Sequence, residues 1–342
     1  MDTAELLKEL CSIPGPPGFE GKVTGYVKSL LDAYMDETWI DVIGNVIGVR
    51  RCGKDGAVKL LFDAHIDEIG FIVTGVEEGF LRFAALGSLD ARVMPASCVT
   101  VLSDPPCCGV VCVMPPHVLK KEDTESNIKI EDMYIDVGKT QEEALKAIPP
   151  GTPGVMDCSV GPFGNNWFCG KALDDRAGFV SILRAIEMLK DSKLDIDLYV
   201  MASVQEEVGT RGAAPGAFAI APDQCIVVDV DFAVSPDTKP HENKAAMGGG
   251  VIVSRGPNIK NELAETALSL SEKYDIKHQI TIEPGGHSGT NASVIQISRE
   301  GVATALFGIP LRYMHTAQEV VSLDDIESTA LLLSEYAKGA GK

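Results

Sequence analysis

Hydrophobic and polar positions along the chain fall into two regimes. In the first, apolar runs of strand length (Val58–Ala64, Ile196–Val204, Cys225–Val228) are separated by segments with helical spacing. Near-continuous apolar runs are the mark of strands covered on both faces, as in a parallel sheet. Leu6, Leu7 and Leu10 predict a helix over 2–13, and Val23, Val27, Leu30 and Leu31 a second over 20–35. Between these two helices Pro14-Gly15-Pro16-Pro17-Gly18 is a turn that no helix passes through. Two short strands follow, Thr38–Ile43 and Asn45–Arg51, with Gly44 as the turn. Beyond Lys171 the alternation returns: helices over Arg176–Lys190, Thr210–Ile220, Lys260–Tyr274, Asn291–Arg299 and Leu323–Ala337, the last capped by Ser322. Strands are expected at Gln224–Val230, Gly250–Ser254, Lys277–Ile282 and Val302–Phe307.

The second regime occupies the middle of the chain. Short β-rich runs (Gly70–Thr74, Phe80–Leu86, Ala96–Leu102, Gly109–Met114, Met133–Val137) are parted by turns such as Asp104-Pro105-Pro106. The one helix expected there, Lys139–Ile148, opens on a capping box of Thr140 and Glu143. Strands so spaced, without interleaved helices, predict a small barrel or sandwich. The charged segment His117–Glu131 reads as a surface loop within it. The expected architecture is α/β: a mixed, mostly parallel sheet flanked by helices, built from residues 1–69 and 166–342, with a barrel-like β domain inserted over 70–165.

Composition narrows the function classes. A formal charge of −19 over 342 residues argues against nucleic acid, whose phosphates such a surface repels. No apolar run approaches the ~18 residues needed to span a bilayer, and the acidic N-terminus lacks the base of a signal peptide, so a cytoplasmic protein without membrane contact is expected. Nine cysteines then imply free thiols. The cluster Cys98, Cys107, Cys108 and Cys112 matches no common zinc spacing, because adjacent residues on a strand point to opposite faces.

The chemistry is concentrated where elements end. His65 with Asp67, Asp174-Asp175, Glu206-Glu207, Asp229 with Asp231, and His315 all stand at predicted boundaries. The ends of strands are where open α/β sheets bind ligands. Each alone has an ordinary structural explanation: Asp174-Asp175, for instance, could cap the helix that follows. Adjacent acids such as Glu206 and Glu207 repel unless a cation or proton compensates, and one site would account for every segment. Two histidines with several carboxylates suit zinc, cobalt or manganese rather than calcium. So many ligands exceed one tetrahedral shell and fit two ions sharing a carboxylate, with one acid left as general base for hydrolysis of a carbonyl compound.

Asp63-Ala-His65-Ile-Asp67-Glu-Ile-Gly70, Ala172-Leu-Asp174-Asp175-Arg-Ala-Gly178 and Val204-Gln-Glu206-Glu207-Val-Gly-Thr-Arg-Gly212 resemble signature blocks of the M42 family of dinuclear metallo-aminopeptidases. So do Val228-Asp229-Val230, Ser288-Gly-Thr-Asn291-Ala and Ile309-Pro-Leu-Arg-Tyr-Met-His315-Thr. The resemblance implies that Asp174 bridges two divalent ions, that His65 and Asp229 complete one shell and Glu207 and His315 the other. It also implies Glu206 as general base, Asp67 as the partner that orients the His65 ring, and a cis peptide between Asp174 and Asp175 with the Asp175 side chain turned away from the ions. It further implies short peptides as substrates and a homo-oligomer, often a dodecamer, assembled through the inserted domain. Family members have carried endoglucanase labels, but 2 Trp and 7 Tyr offer no evident aromatic sugar platform. Asp231 and Asn291 depart from the family pattern, where a smaller residue and an Asp are common. A carboxypeptidase or N-acyl amino acid deacylase on the same dinuclear logic would need a cation for the substrate carboxylate, for which Arg176 and Arg312 are candidates. A non-enzymatic assembly protein on this fold is the alternative from another class.

Overall fold

The computed structural model describes all residues except 1, 116, 119–127, 237, 240–244, 285–288 and 342. Much of the His117–Glu131 segment, and Ser288, therefore lie outside the described residues. The large sheet is ordered β1 (Glu37–Ile40), β2 (Val46–Arg50), β12 (Asp197–Ser203), β3 (Lys59–His65), β13 (Gln224–Phe232), β16 (Ala303–Arg312), β17 (Glu319–Ser322), β11 (Trp167–Gly170) and β10 (Gly161–Phe163), with β14 (Val251–Arg255) and β15 (His278–Ile282) joined through β16. At its centre β12, β3, β13 and β16 run parallel, and antiparallel strands extend the sheet on either side. The register places Ser203 beside His65 and Asp229 beside Gly308, so the carboxyl ends of all four central strands open on one edge.

Two groups of helices cover this sheet. α4 (Leu173–Met188) packs on β3 and β13 and contacts α1 (Thr3–Ser12) and α8 (Leu323–Gly339), while α6 (Asn261–Lys273) lies against α8, β14 and β16. α5 (Ala213–Ile220) and α7 (Ala292–Ile295) meet each other and pack on β12, β13 and β16. The core runs continuously through Leu61, Phe62, Phe179, Val200, Val227 and Phe307, all inaccessible to solvent. α2 (Gly21–Leu31) completes the N-terminal part. No described helix is long and apolar enough to cross a membrane.

Between Gly70 and Met156 the chain closes a six-stranded antiparallel barrel, β4 (Gly70–Glu77), β5 (Phe80–Leu86), β8 (Tyr134–Asp136), β7 (Cys107–Cys112), β6 (Cys98–Val101) and β9 (Pro153–Met156). Alternation along β6 and β7 turns Val99, Val101, Gly109 and Val111 inward and leaves Cys98, Cys108 and Val110 exposed. The interior is a separate apolar cluster around Phe71, Val73, Leu81, Phe83 and Ile135. The helix expected at 139–148 is α3 (Gln141–Ala147), with the Thr140–Glu143 capping box formed. All nine cysteines are free.

The structure moves several expected boundaries. β13 continues through Asp229 and Asp231 to Phe232, and β16 through Pro310 to Arg312, because parallel pairing between them overrides the local polar and proline signals. α5 begins at Ala213 rather than Thr210, since Gly209 and Thr210 have positive φ and the Gly212 N–H closes on the Val204 carbonyl. α7 is a single turn where a longer helix was expected. Strands β9, β10, β11 and β17, of three or four residues each, are too short to stand out of the sequence.

Candidate active site

The edge formed by the central strands holds every residue expected there. His65 ends β3, Asp229 lies in β13, Glu206 and Glu207 follow β12, and His315 follows β16. Asp174 and Asp175 sit in the first turn of α4 with non-helical φ and ψ, and the peptide bond between them is cis. All of these but Asp175 line a cleft of about 550 Å³ whose wall also includes Ser88, Thr210, Asp231, Phe232, Thr290 and Met314.

The distances define a compact donor set. His65 Nε2 lies 3.0 Å from Asp174 Oδ1 and 3.9 Å from Asp229 Oδ1. His315 Nε2 lies 3.4 Å from Asp174 Oδ2 and 3.6 Å from Glu207 Oε2. Asp174 thus presents one oxygen to each histidine. Candidate ligand atoms of His65, Asp174 and Glu207 lie within 4.8 Å of one another, as do those of His65, Asp175 and Asp229. Asp67 faces the His65 Nδ1 edge at 3.5 Å, and its two oxygens accept the backbone N–H groups of Glu206 at 3.0 Å and Glu207 at 3.1 Å.

Burial makes this set electrically unbalanced. Burial lifts Glu206 to about 7, with the charges of Asp174 and Asp67 adding to it and His65 opposing. Glu207, Asp229 and Asp175 are pushed well above the carboxylate range, first by burial and then by neighbouring acids. Asp174 alone is held low, because hydrogen bonds from His315 and His65 outweigh its burial. His65 is held well above its ordinary value by Asp174 and Asp67 against the effect of burial. So many desolvated carboxylates repel one another in the absence of positive charge. Imidazole and carboxylate donors around this deficit fit divalent transition ions, and the buried Asp175 Oδ2 has no hydrogen-bond partner.

Comparison with known proteins accords with this geometry. The family described as M42 glutamyl aminopeptidase matches residues 44–332. The chain belongs to the M42 peptidases. A lysyl aminopeptidase of Pyrococcus furiosus is 34% identical over 96% of this chain and 94% of its own length. The structure of a TET aminopeptidase from a marine-sediment Thaumarchaeota archaeon superposes with a TM-score of 0.94 at 31% identity, covering 99% of this chain and 96% of that one. The Pyrococcus horikoshii TET1 peptidase, described as assembling into a tetrahedron or a large octahedral shell, gives 0.85 at 30% identity, covering 98% and 99%.

Within this M42 chain three placements differ from the sequence reading. Asp175 is not turned away: it is wholly buried and stands with His65 and Asp229. Gly178 makes room for it, since a Cβ there would come 2.4 Å from Asp175 Oδ1. Arg176, a candidate for binding a substrate carboxylate, is entirely inaccessible and donates to the carbonyls of Ile66, Leu10 and Ile13. Arg312 bonds the Val234 carbonyl and lies over the Trp167 ring, away from the cleft. The sequence reading also missed Glu319, a buried acid on β17, and the buried trio of Glu68, Lys171 and Arg176. The negative-charge excess of the neighbouring segments carries no signal for either.

Proposed function

We propose that this M42 aminopeptidase removes N-terminal residues from short peptides using two divalent ions, zinc, cobalt or manganese. His65 and Asp229 would hold one, Glu207 and His315 the other, and Asp174 would bridge them. When bound, the ions supply Lewis acidity, lowering the pKa of a water and drawing charge from the scissile carbonyl. Glu206 takes the proton of the attacking water and hands it to the departing amine. The observation that carries this role is that Glu206 lines the cleft without a close histidine contact, whereas Asp174, Asp229 and Glu207 each come within 3.9 Å of a histidine nitrogen. Asp67 accepts from the backbone N–H groups of Glu206 and Glu207 with its carboxylate and meets His65 Nδ1 with its own carbonyl at 3.2 Å, the carboxylate standing 3.5 Å away, which anchors three site residues at once.

Exopeptidase action follows from the acidic wall of the cleft, which attracts a free α-ammonium group. Neither Arg176 nor Arg312 lines the cleft, and among its described lining residues there is no lysine or arginine to hold the substrate carboxylate of a carboxypeptidase or deacylase. The inserted barrel would supply the subunit contacts of a shell-like homo-oligomer, as the TET1 relative's assembly suggests. A free-amino dipeptide should be hydrolysed by the metal-loaded chain, and its N-acetylated twin left intact, with all turnover lost on chelation. Preference for the acetylated twin would overturn the assignment in favour of a deacylase.

A further inference from the structure

Asp67 and Glu319 form a matched pair that the sequence does not reveal. Asp67 is wholly buried and spends both oxygens on the backbone N–H groups of two neighbouring site residues, Glu206 and Glu207. Glu319, 2% exposed, does the same for another two. Its Oε2 accepts from Asp174 N at 3.1 Å and its Oε1 from His315 N at 3.2 Å. Those two residues come from chain segments about 140 positions apart, and their side chains meet at 3.4 Å.

Neither segment is held by regular structure of its own. Ala172 is left-handed, Asp174 and Asp175 lie off the helical dihedrals of α4, and Tyr313 and His315 have φ of 65° and 62°. His315 is also the most exposed of the candidate ligands, its side chain 31% accessible. Glu319, by contrast, stands on β17 in ladder register, opposite Gly170 of β11, with Val320 opposite Arg312 of β16. One carboxylate on a fixed strand thus sets the spacing of two ligands on irregular backbone.

We infer that Glu319 is a positioning residue that locks Asp174 and His315 at the separation one ion requires. The inference rests on the reading of the site as a dinuclear metal centre. Groups that orient ligands without touching the ion commonly alter affinity by about 10–100-fold when changed. Glu319→Gln keeps the shape but turns one acceptor into an N–H donor facing a backbone N–H. Asp325 provides the control, since its carboxylate likewise accepts two backbone N–H groups, those of Gly248 and Gly250, none from a ligand residue.

The test is titration of the full metal-free chain with Co²⁺, read by visible absorption. Wild type should take up two ions per chain. Glu319→Gln should bind one of them roughly 10–100-fold more weakly with an altered absorption envelope, while Asp325→Asn lowers the thermal midpoint yet titrates as wild type. Unchanged affinity and spectrum in Glu319→Gln would overturn the proposal, and so would failure of that variant to fold while Asp325→Asn folds, because the demand for Glu319 would then be structural. Absence of uptake by wild type would instead refute the metal-centre reading itself.

Discussion

The large sheet and the inserted barrel are both β-structures with their own apolar cores, yet they treat charge in opposite ways. Around the sheet edge the chain buries Asp63, His65, Asp67, Glu68, Lys171, Asp174, Asp175, Arg176, Asp229 and Glu319. Within the described residues of the barrel no ionisable side chain is buried; its interior is Phe, Val, Leu, Ile and Met. Burying a charge costs several kcal/mol unless it is paired or bonded, so a fold tolerates such a set only where something compensates. In the sheet that compensation comes from donated N–H groups, the Glu68 trio and, on the proposed reading, metal ions. The barrel closes its hydrogen bonds within itself and leaves its apolar surplus outside, at Phe80, Val110 and Met114. On the proposed reading one region is built for chemistry and the other for contact.

The strongest way to break this contrast is at Glu206. Glu206→Gln preserves volume and the N–H bonded to Asp67 but cannot take a proton. Turnover should fall by about 10²–10⁴-fold with metal content per chain unchanged. Glu207→Gln should behave differently, weakening one ion, because Glu207 Oε2 faces His315 Nε2. Elemental analysis beside kinetics decides between them; loss of metal in the Glu206 variant with full loading in the Glu207 variant would reverse their roles.

On the barrel side the corresponding change is Val110→Lys. Val110 is 45% exposed on the outer face of β7, opposite exposed Cys98, so the single chain should fold as before. If this face is a subunit contact, an unpaired ammonium buried there costs about 3 kcal/mol, on the order of a hundredfold in assembly. Sedimentation should show smaller species, with hydrolysis of a dipeptide per chain within about twofold of wild type, since small substrates need no shell. Unchanged assembly would remove Val110 from the contact.

How legible these regions were follows from what each is made of. The central strands announce themselves because burial on both faces demands unbroken apolar runs, as in Leu198–Val204, and a carboxylate or histidine at the end of such a run is conspicuous. His65, Glu206, Glu207 and Asp229 were readable for that reason. The proposed division between a general base, ligands and Asp67 as a ligand's partner comes from the family resemblance, because spacing alone does not distinguish them. Glu319 was invisible because β17 is four residues long and its neighbours Val320 and Val321 look like any short apolar patch. Asp175 was misplaced because its fate depends on the missing Cβ of Gly178, a contact set by α4 rather than by local sequence. Arg176 read as a candidate cation for a substrate carboxylate; its three carbonyl partners come from α1, the turn after it and the loop after β3, which no local pattern connects.

The smallest expected effect sets the two regions against each other in sign. In the metal-free protein Glu206 is raised from 4.5 to about 7, chiefly by burial. The folded chain therefore binds this proton more tightly than the unfolded chain does. The stability it contributes is complete below about pH 4.5 and is lost as pH rises through about 7. Glu143 of the barrel is fully exposed and shifted the other way, lowered by the backbone N–H and hydroxyl of Thr140. Its contribution is present above the ordinary carboxylate range and disappears as pH falls. Between pH 5 and 7.5 the first effect operates and the second does not, and burial of Asp63 and Glu20, each raised to about 7, acts in the same direction, so the thermal midpoint of the metal-free chain should drop by a few degrees, the scale set by ~1 kcal/mol in a domain of this size. Glu206→Gln, which cannot titrate, should reduce that slope, whereas Glu143→Gln should leave it unchanged. Loading with metal should reduce it as well, because bound cations take over the compensation the proton provides. A midpoint that rises over this interval in the metal-free protein would show that the buried acids of the sheet edge are not what the pH is reading.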